Sequence, residues 1–202
     1  MYQPILFHQM IDIMRRFYPI PTALVVELSK VIDIINCRAG ETILNYKEIQ
    51  RSVWFQLKGT SAEMTRDSKS SKEFISWFWF VGDFLHTTPG FFSQQPSGNS
   101  IVILEDSSFI AISVEDYTAL KKQFFETEKL IEKLRDNCKV LRTQHLIDMK
   151  CSALERTRNL YHTHPNLLKI CSRKQLASFL NMSPDTFTRA MKKLSGKFDT
   201  PN

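Results

Sequence analysis

The residues best suited to chemistry lie near the end of the chain. Asp185, Thr186, Thr188, Arg189, Lys192 and Lys193 follow one another closely. A guanidinium can pair with the two acceptors on the edge of guanine, and carboxylates or hydroxyls can meet other base edges. Ammonium groups suit phosphates. This set therefore points to recognition of a polyanion. Asp185 and Arg189 also stand four apart, the spacing of a plain ion pair on a helix. Both roles can coexist, since an aspartate can hold an arginine in position.

The elements around these residues are legible. Ser172 with Gln175 three positions later forms a capping box. Leu176, Ala177 and Leu180 then give a short helix, with a small residue where a second helix could cross. Asn181 tolerates the left-handed conformation that a sharp turn demands. Met182 is the apolar plug of that turn. Ser183, Pro184 and Asp185 supply a hydroxyl cap, a first-position proline and a first-turn carboxylate. Phe187, Ala190, Met191 and Leu194 form the buried face of the second helix. Two short helices joined by a tight turn make a helix-turn-helix. Ser172, Arg173, Lys174 and Ser183 join the exposed second-helix residues as expected DNA contacts.

Charge supports this reading. The chain has 202 residues and a net charge of +6. Residues 150–202 hold ten Lys or Arg against three Asp or Glu, whereas residues 1–149 hold seventeen against eighteen. A basic tail on a near-neutral body favours a polyanionic partner for the tail.

Other chemistries find little support. Cys37, Cys138, Cys151 and Cys171 lie far apart, so reduced thiols and no metal are expected. His86 stands alone, and His162 and His164 are two apart and read as surface residues. G-x-S-x-G, P-loop and H-E-x-x-H patterns are lacking, so an enzyme is not expected. No apolar run spans a bilayer and residues 1–10 do not resemble a signal peptide, so no membrane partner and a cytoplasmic location are expected.

The rest of the chain changes character twice. Ile5, Leu6, Met10, Ile11, Met14 and Phe17 mark a helical face ended by Pro19 and Pro21, and a short helix follows Thr22. Short β-branched and aromatic runs then recur at 31–35, 52–57, 73–80, 100–104 and 109–113. Turn formers separate them at 38–40, 58–59, 67–71, 96–99 and 105–108. This pattern predicts an antiparallel sandwich or barrel. Helix resumes at Glu115. Leu120, Phe124, Thr127, Ile131, Leu134, Cys138 and Leu141 follow the alternating four-and-three spacing of a coiled-coil seam. Packing of this helix on its own β domain is the competing reading. Self-association is the expectation taken forward.

With these features in place, the chain resembles the Crp/Fnr-type bacterial transcription regulators from about Ile32 to Leu194. The likeness rests on Arg38-Ala39-Gly40-Glu41, the stretch from Val53 to Gly59, Val81-Gly82-Asp83-Phe84 and Leu104-Glu105-Asp106-Ser107. It extends through Ile112 to Tyr117 into the long helix and the terminal helix-turn-helix. The resemblance implies an α+β fold. Residues 1–114 would form a cyclic-nucleotide-binding-like β-roll, 115–145 a dimerisation helix, and 146–202 the DNA-binding domain. Double-stranded DNA and a second copy are the implied partners, with RNA polymerase as a further one. Eight residues follow Leu194, which implies a reduced or absent wing. No cofactor is expected. The alternative is a ligand-sensing or protein-interaction module that regulates a partner without binding DNA.

The departures from the family pattern carry an expectation of their own. In nucleotide-binding members a glutamate after the Gly-Asp-Phe motif holds the ribose, and an arginine further on holds the cyclic phosphate. Here Gly82, Asp83 and Phe84 are kept, but Thr87 and Ser97 stand near those contact positions. Residues 91–99 contain no Arg or Lys. Thr88-Pro89 reads as a cap and first turn, so a helix N-terminus after Pro89 could supply donors. A degenerate pocket that does not take cyclic AMP is expected, leaving the effector open.

Overall fold

The computed structural model describes residues 4–67 and 72–198. Two helices come first, α1 (Pro4–Phe17) and α2 (Thr22–Lys30). Eight strands follow: β1 (Ile32–Cys37), β2 (Thr42–Leu44), β3 (Ser52–Lys58), β4 (Ser61–Arg66), β5 (Glu73–Trp79), β6 (Phe84–Leu85), β7 (Asn99–Ile103) and β8 (Ser107–Ser113). They make two four-stranded sheets, ordered β1-β8-β3-β6 and β2-β7-β4-β5. All the registered pairings are antiparallel, with Ile34 and Phe55 both opposite Ile110 across β8. The chain then turns helical: α3 (Val114–Gln123), α4 (Phe125–Asp148), α5 (Ala153–Thr163), α6 (Leu167–Ile170), α7 (Arg173–Phe179) and α8 (Pro184–Phe198). The fold is α+β, as the resemblance implies.

The chain divides into two compact units. One comprises Met1–Thr65 and Phe78–Cys138, the other Arg66–Trp77 and Lys139–Asn202. The first unit's core explains its helices. Side chains alternate along a strand, so Val53, Phe55 and Leu57 of β3 share one face with Ile110 and Ile112 of β8. Phe7, Met10, Ile11 and Met14 of α1, Leu24 and Leu28 of α2, Leu120 of α3 and Leu130 of α4 are buried in the same cluster. Ile5, expected on the buried face of α1, is 82% exposed, and Phe7 takes the place inside. The spacing 7, 10, 11, 14 is the true helical stripe.

The expected continuous helix from Glu115 is interrupted. Ser113 caps α3 by accepting the Asp116 N–H, and Phe124 leaves helical geometry at φ −131°, ψ 112° before α4 begins. The expected seam also faces elsewhere. Leu120 and Thr127 are buried within the first unit, and Phe124 and Leu134 pack against its core. Ile131 and Cys138 are half-buried, and Leu141 alone of the seven is exposed. The heptad spacing was real, but this unit's own core takes up Leu120, Phe124, Thr127 and Leu134. Besides Leu141, α4 leaves the apolar residues Phe125, Val140, Leu146 and Ile147 exposed, and these four lie off the seam. At 100° per residue they fall on the opposite side of the helix.

Two expectations fall partly or wholly on residues outside those described: the turn at 67–71 except Asp67, and the reduced or absent wing after Leu194, of which 195–198 continue α8. No helix among the described residues is long and apolar enough to cross a membrane.

Candidate nucleic-acid interface

The second unit is built from short helices with strong local ends. Ser152 caps α5 and Ser172 caps α7, each in a complete capping box with Glu155 and Gln175. Helices this short are marginal alone, so packing must hold them. Leu176 and Ala177 of α7 and its C-cap Leu180 are buried, as are Phe187, Ala190 and Leu194 of α8 and Leu160 of α5. Asn181 adopts φ +51°, as the turn required. The Met182 N–H donates to the Ala177 carbonyl at 2.9 Å, closing α7 as α8 approaches. Ser183 then accepts the Thr186 N–H at 3.1 Å and starts α8.

This packing turns the basic residues outward. Arg173, Lys174, Asp185, Arg189, Lys192 and Lys193 are exposed, and Thr186 and Thr188 are half-buried. The hydroxyls of Ser172 and Ser183 serve as caps, and Thr188 donates to the Pro184 carbonyl at 2.9 Å. Arg189 donates to Thr186 Oγ1 at 3.4 Å. Among the described residues it forms no ion pair, so the expected link to Asp185 is replaced by this hydroxyl contact.

Three features of the unit were not read from sequence. The Ser152–Glu155 box announces α5 by the same signal that announced α7. Arg156 on α5 donates to the Asn181 carbonyl at 3.4 Å. His145 of α4 stacks on Phe179 of α7, with ring centroids 4.4 Å apart. Burial lowers the pKa of His145, as it does for half-buried His164, which was expected at the surface.

The first unit holds the residues expected at the degenerate pocket. Thr87 and Ser97 are buried side by side, with Ser97 Oγ donating to Thr87 Oγ1 at 2.9 Å. Ser97 Oγ also reaches the Asn99 carbonyl at 2.7 Å. The Thr87 N–H donates to Gln50 Oε1, whose amide in turn donates to the Ser52 and Leu85 carbonyls. The Gln50, Thr87 and Ser97 side chains are neutral, and Asn99 continues the chain of contacts by donating to the buried Glu63 carboxylate at 2.7 Å. Gly82, at φ +95°, donates its N–H to the Gln56 carbonyl, and Phe84 packs on Phe55 at 4.9 Å. Burial raises the Asp83 carboxyl to about 6, against the opposing hydrogen bond from the Phe80 N–H.

The helix expected after Pro89 does not form. The Thr88–Pro89 bond is cis, and 91–94 make turns closed by the Gln94 N–H on the Gly90 carbonyl. Two phenylalanines fill this region. Phe91 belongs to the buried core, and Phe92 sits 5.2 Å from His86, 5.9 Å from Tyr117 and 4.9 Å beneath the Arg135 guanidinium. Among the described residues no group of three or more His, Cys, Asp or Glu is placed to hold a metal ion.

Solved structures share this fold over most of the chain. FixK2 from Bradyrhizobium japonicum superposes with a TM-score of 0.69 at 15% identity, over 83% of this chain and 86% of its own. The c-di-GMP responsive global regulator CLP from Xanthomonas campestris gives 0.66 at 13% identity, over 88% and 93%. A protein from Eubacterium rectale assigned to the crp/fnr family of transcriptional regulators gives 0.67 at 12%, over 90% and 88%. The fold is that of the Crp/Fnr regulators. At these identities the Crp/Fnr likeness is one of architecture. No family model and no curated protein matches the sequence.

Proposed function

We propose that this chain is a homodimeric, sequence-specific DNA-binding transcription regulator of the Crp/Fnr type, and that cyclic AMP does not control it. The observation that carries the reading is the capped α7–turn–α8 pair, whose packing leaves Arg189, Lys192 and Lys193 exposed on one helix. Such a helix fits the major groove by its N-terminal turns. Selection of bound fragments from a genomic library, followed by gel shift, tests it. A dimer should enrich a pseudo-palindrome with half-sites about 10 base pairs apart. Retention of no fragment over random DNA would sink the proposal. RNA polymerase is the partner through which such a regulator would act.

Dimerisation is assigned to the exposed side of α4, with Val140 and Ile147 one heptad apart and Leu146 next to Ile147. A charge at Val140 would be buried and poorly solvated in that contact. Sedimentation of V140D is therefore expected to show monomers where the parent shows dimers. A parent chain that is monomeric at micromolar concentration would refute the assignment.

The cyclic AMP reading rests on the neutral Gln50–Thr87–Ser97 network. A buried phosphate needs a guanidinium or several donors in place of its water. A charge-assisted hydrogen bond is worth roughly 1.5–3 kcal/mol. Without it and the ribose carboxylate, affinity should be about two to four decades weaker than a complete pocket would give. Isothermal titration is the check. A low-micromolar or tighter dissociation constant for cyclic AMP or cyclic GMP would overturn the reading.

A further inference from the structure

Helix α5 touches the recognition turn from two successive positions. Arg156 Nη1 donates to the Asn181 carbonyl at 3.4 Å and lies 3.8 Å from Met149 Sδ. Its Nε is buried and has no hydrogen-bond partner among the described residues. The next residue, Thr157, is 1% exposed; its hydroxyl donates to the Ala153 carbonyl and lies 4.0 Å from Met182 Sδ. Asn181 and Met182 are the two residues that reverse the chain between α7 and α8. Asn181 does so in the left-handed conformation.

The carbonyl of a left-handed turn residue has left the helix and finds no donor in the next turn. Arginine is suited to this place. Its guanidinium is planar, weakly hydrated and always charged, and it can lie against a thioether while one nitrogen reaches an oxygen. Leaving a buried N–H unpaired is costly. A cation held here on these terms makes sense if the turn needs a fixed geometry more than it needs the best packing. Arg156 is also removed from the basic set on α8, because its charge is directed at backbone.

We propose that Arg156 is a positioning residue for DNA recognition: it acts through the Asn181 carbonyl to set the geometry of α8 against α7, and it contacts no DNA itself. This rests on the DNA-binding reading above. It adds that part of the sequence preference is stored in α5, outside the helix that would read the bases.

The test uses full-length Arg156→Met, which keeps the bulk, and Arg156→Lys, which keeps the charge. The first arm needs no DNA. Amide exchange at Asn181 and Met182 should quicken about tenfold in R156M and less in R156K, because local opening reports local stability. The second arm compares a selected fragment with random DNA. R156M should lower affinity for the selected fragment about tenfold and leave random binding and its salt slope unchanged. R156K should restore part of the loss. Unchanged exchange at the turn overturns the proposal. So do equal losses on both DNAs with a salt slope reduced by about one, the signature of a lost phosphate contact. Should R156M fail to fold, R156K carries the same two readouts. A parent chain that selects no DNA removes the DNA-binding reading, and the exchange arm then decides alone whether Arg156 organises the turn.

Discussion

Replacing Arg189 with alanine is expected to lower affinity for the specific DNA site by roughly 1–3 kcal/mol and to relax sequence preference at one base position. The size follows from what the side chain has left to give. Arg189 is exposed on α8, and its only hydrogen bond among the described residues is the long one to Thr186 Oγ1. Thr186 itself is held by the Ser183 cap. The guanidinium is thus steadied from one side while its other donors remain available for a guanine edge. Lys192→Ala should behave differently. An ammonium on phosphate carries no sequence information, so all DNAs should bind more weakly and the salt slope should flatten by about one. Anisotropy titrations of both variants over a range of salt, on specific and random duplexes, provide the check. Equal losses on both duplexes for both variants would show that the two residues share one role.

A second large effect is expected inside the same unit. Phe187→Ala should destabilise the helical unit by about 3–5 kcal/mol, the usual range for removing a buried phenylalanine. Phe187 is 1% exposed and among the largest fully buried side chains of the chain. The unit has little reserve, because α7 spans only seven residues and short helices depend on packing. A loss of this size approaches the whole stability of a typical small domain. Amide exchange by mass spectrometry should then show lost protection in α5, α7 and α8 with the β3–β8 ladder still protected, and DNA binding should vanish. Protection in α7 and α8 equal to that of the parent would contradict this.

How much was legible differs by element for physical reasons. The turn between α7 and α8 could be read because caps, a left-handed asparagine and apolar spacing act within a few residues of one another. The neighbouring α5 carried the same capping signal at Ser152 and Glu155. It went unread because its following face, Thr157 and Leu160, is buried with little apolar content. Strand β4 was missed for a related reason. Ser61 and Glu63 are buried on it, and polar residues do not announce a core strand. The heptads of α4 were visible, but spacing alone does not say whether a helix packs on a partner or on its own sheet. The burial of Leu120 and Thr127 answers that within the first unit. The pocket was legible as a loss of charge at Thr87 and Ser97. The way Gln50 closes the network was not, since it arrives from 37 positions away.

The register of β1 against β8 sets the order in which the protein can be made. Ile32 pairs with Ile112 and Cys37 with Ser107. The outer edge of that sheet must therefore wait for some seventy further residues to leave the ribosome, about 4–15 s at ordinary synthesis rates. Until then β1 has no partner strand, and the apolar stripes of α1 and α2 have only the β3–β6 part of the sheet to cover. The capped helices that follow need only their near neighbours, and contacts so local form fast. A nascent chain stalled before Ser107 would thus leave its apolar helices only partly covered, without Ile110 and Ile112 of β8, whereas one that has passed Ser113 can close the sheet while the helical unit is still being synthesised.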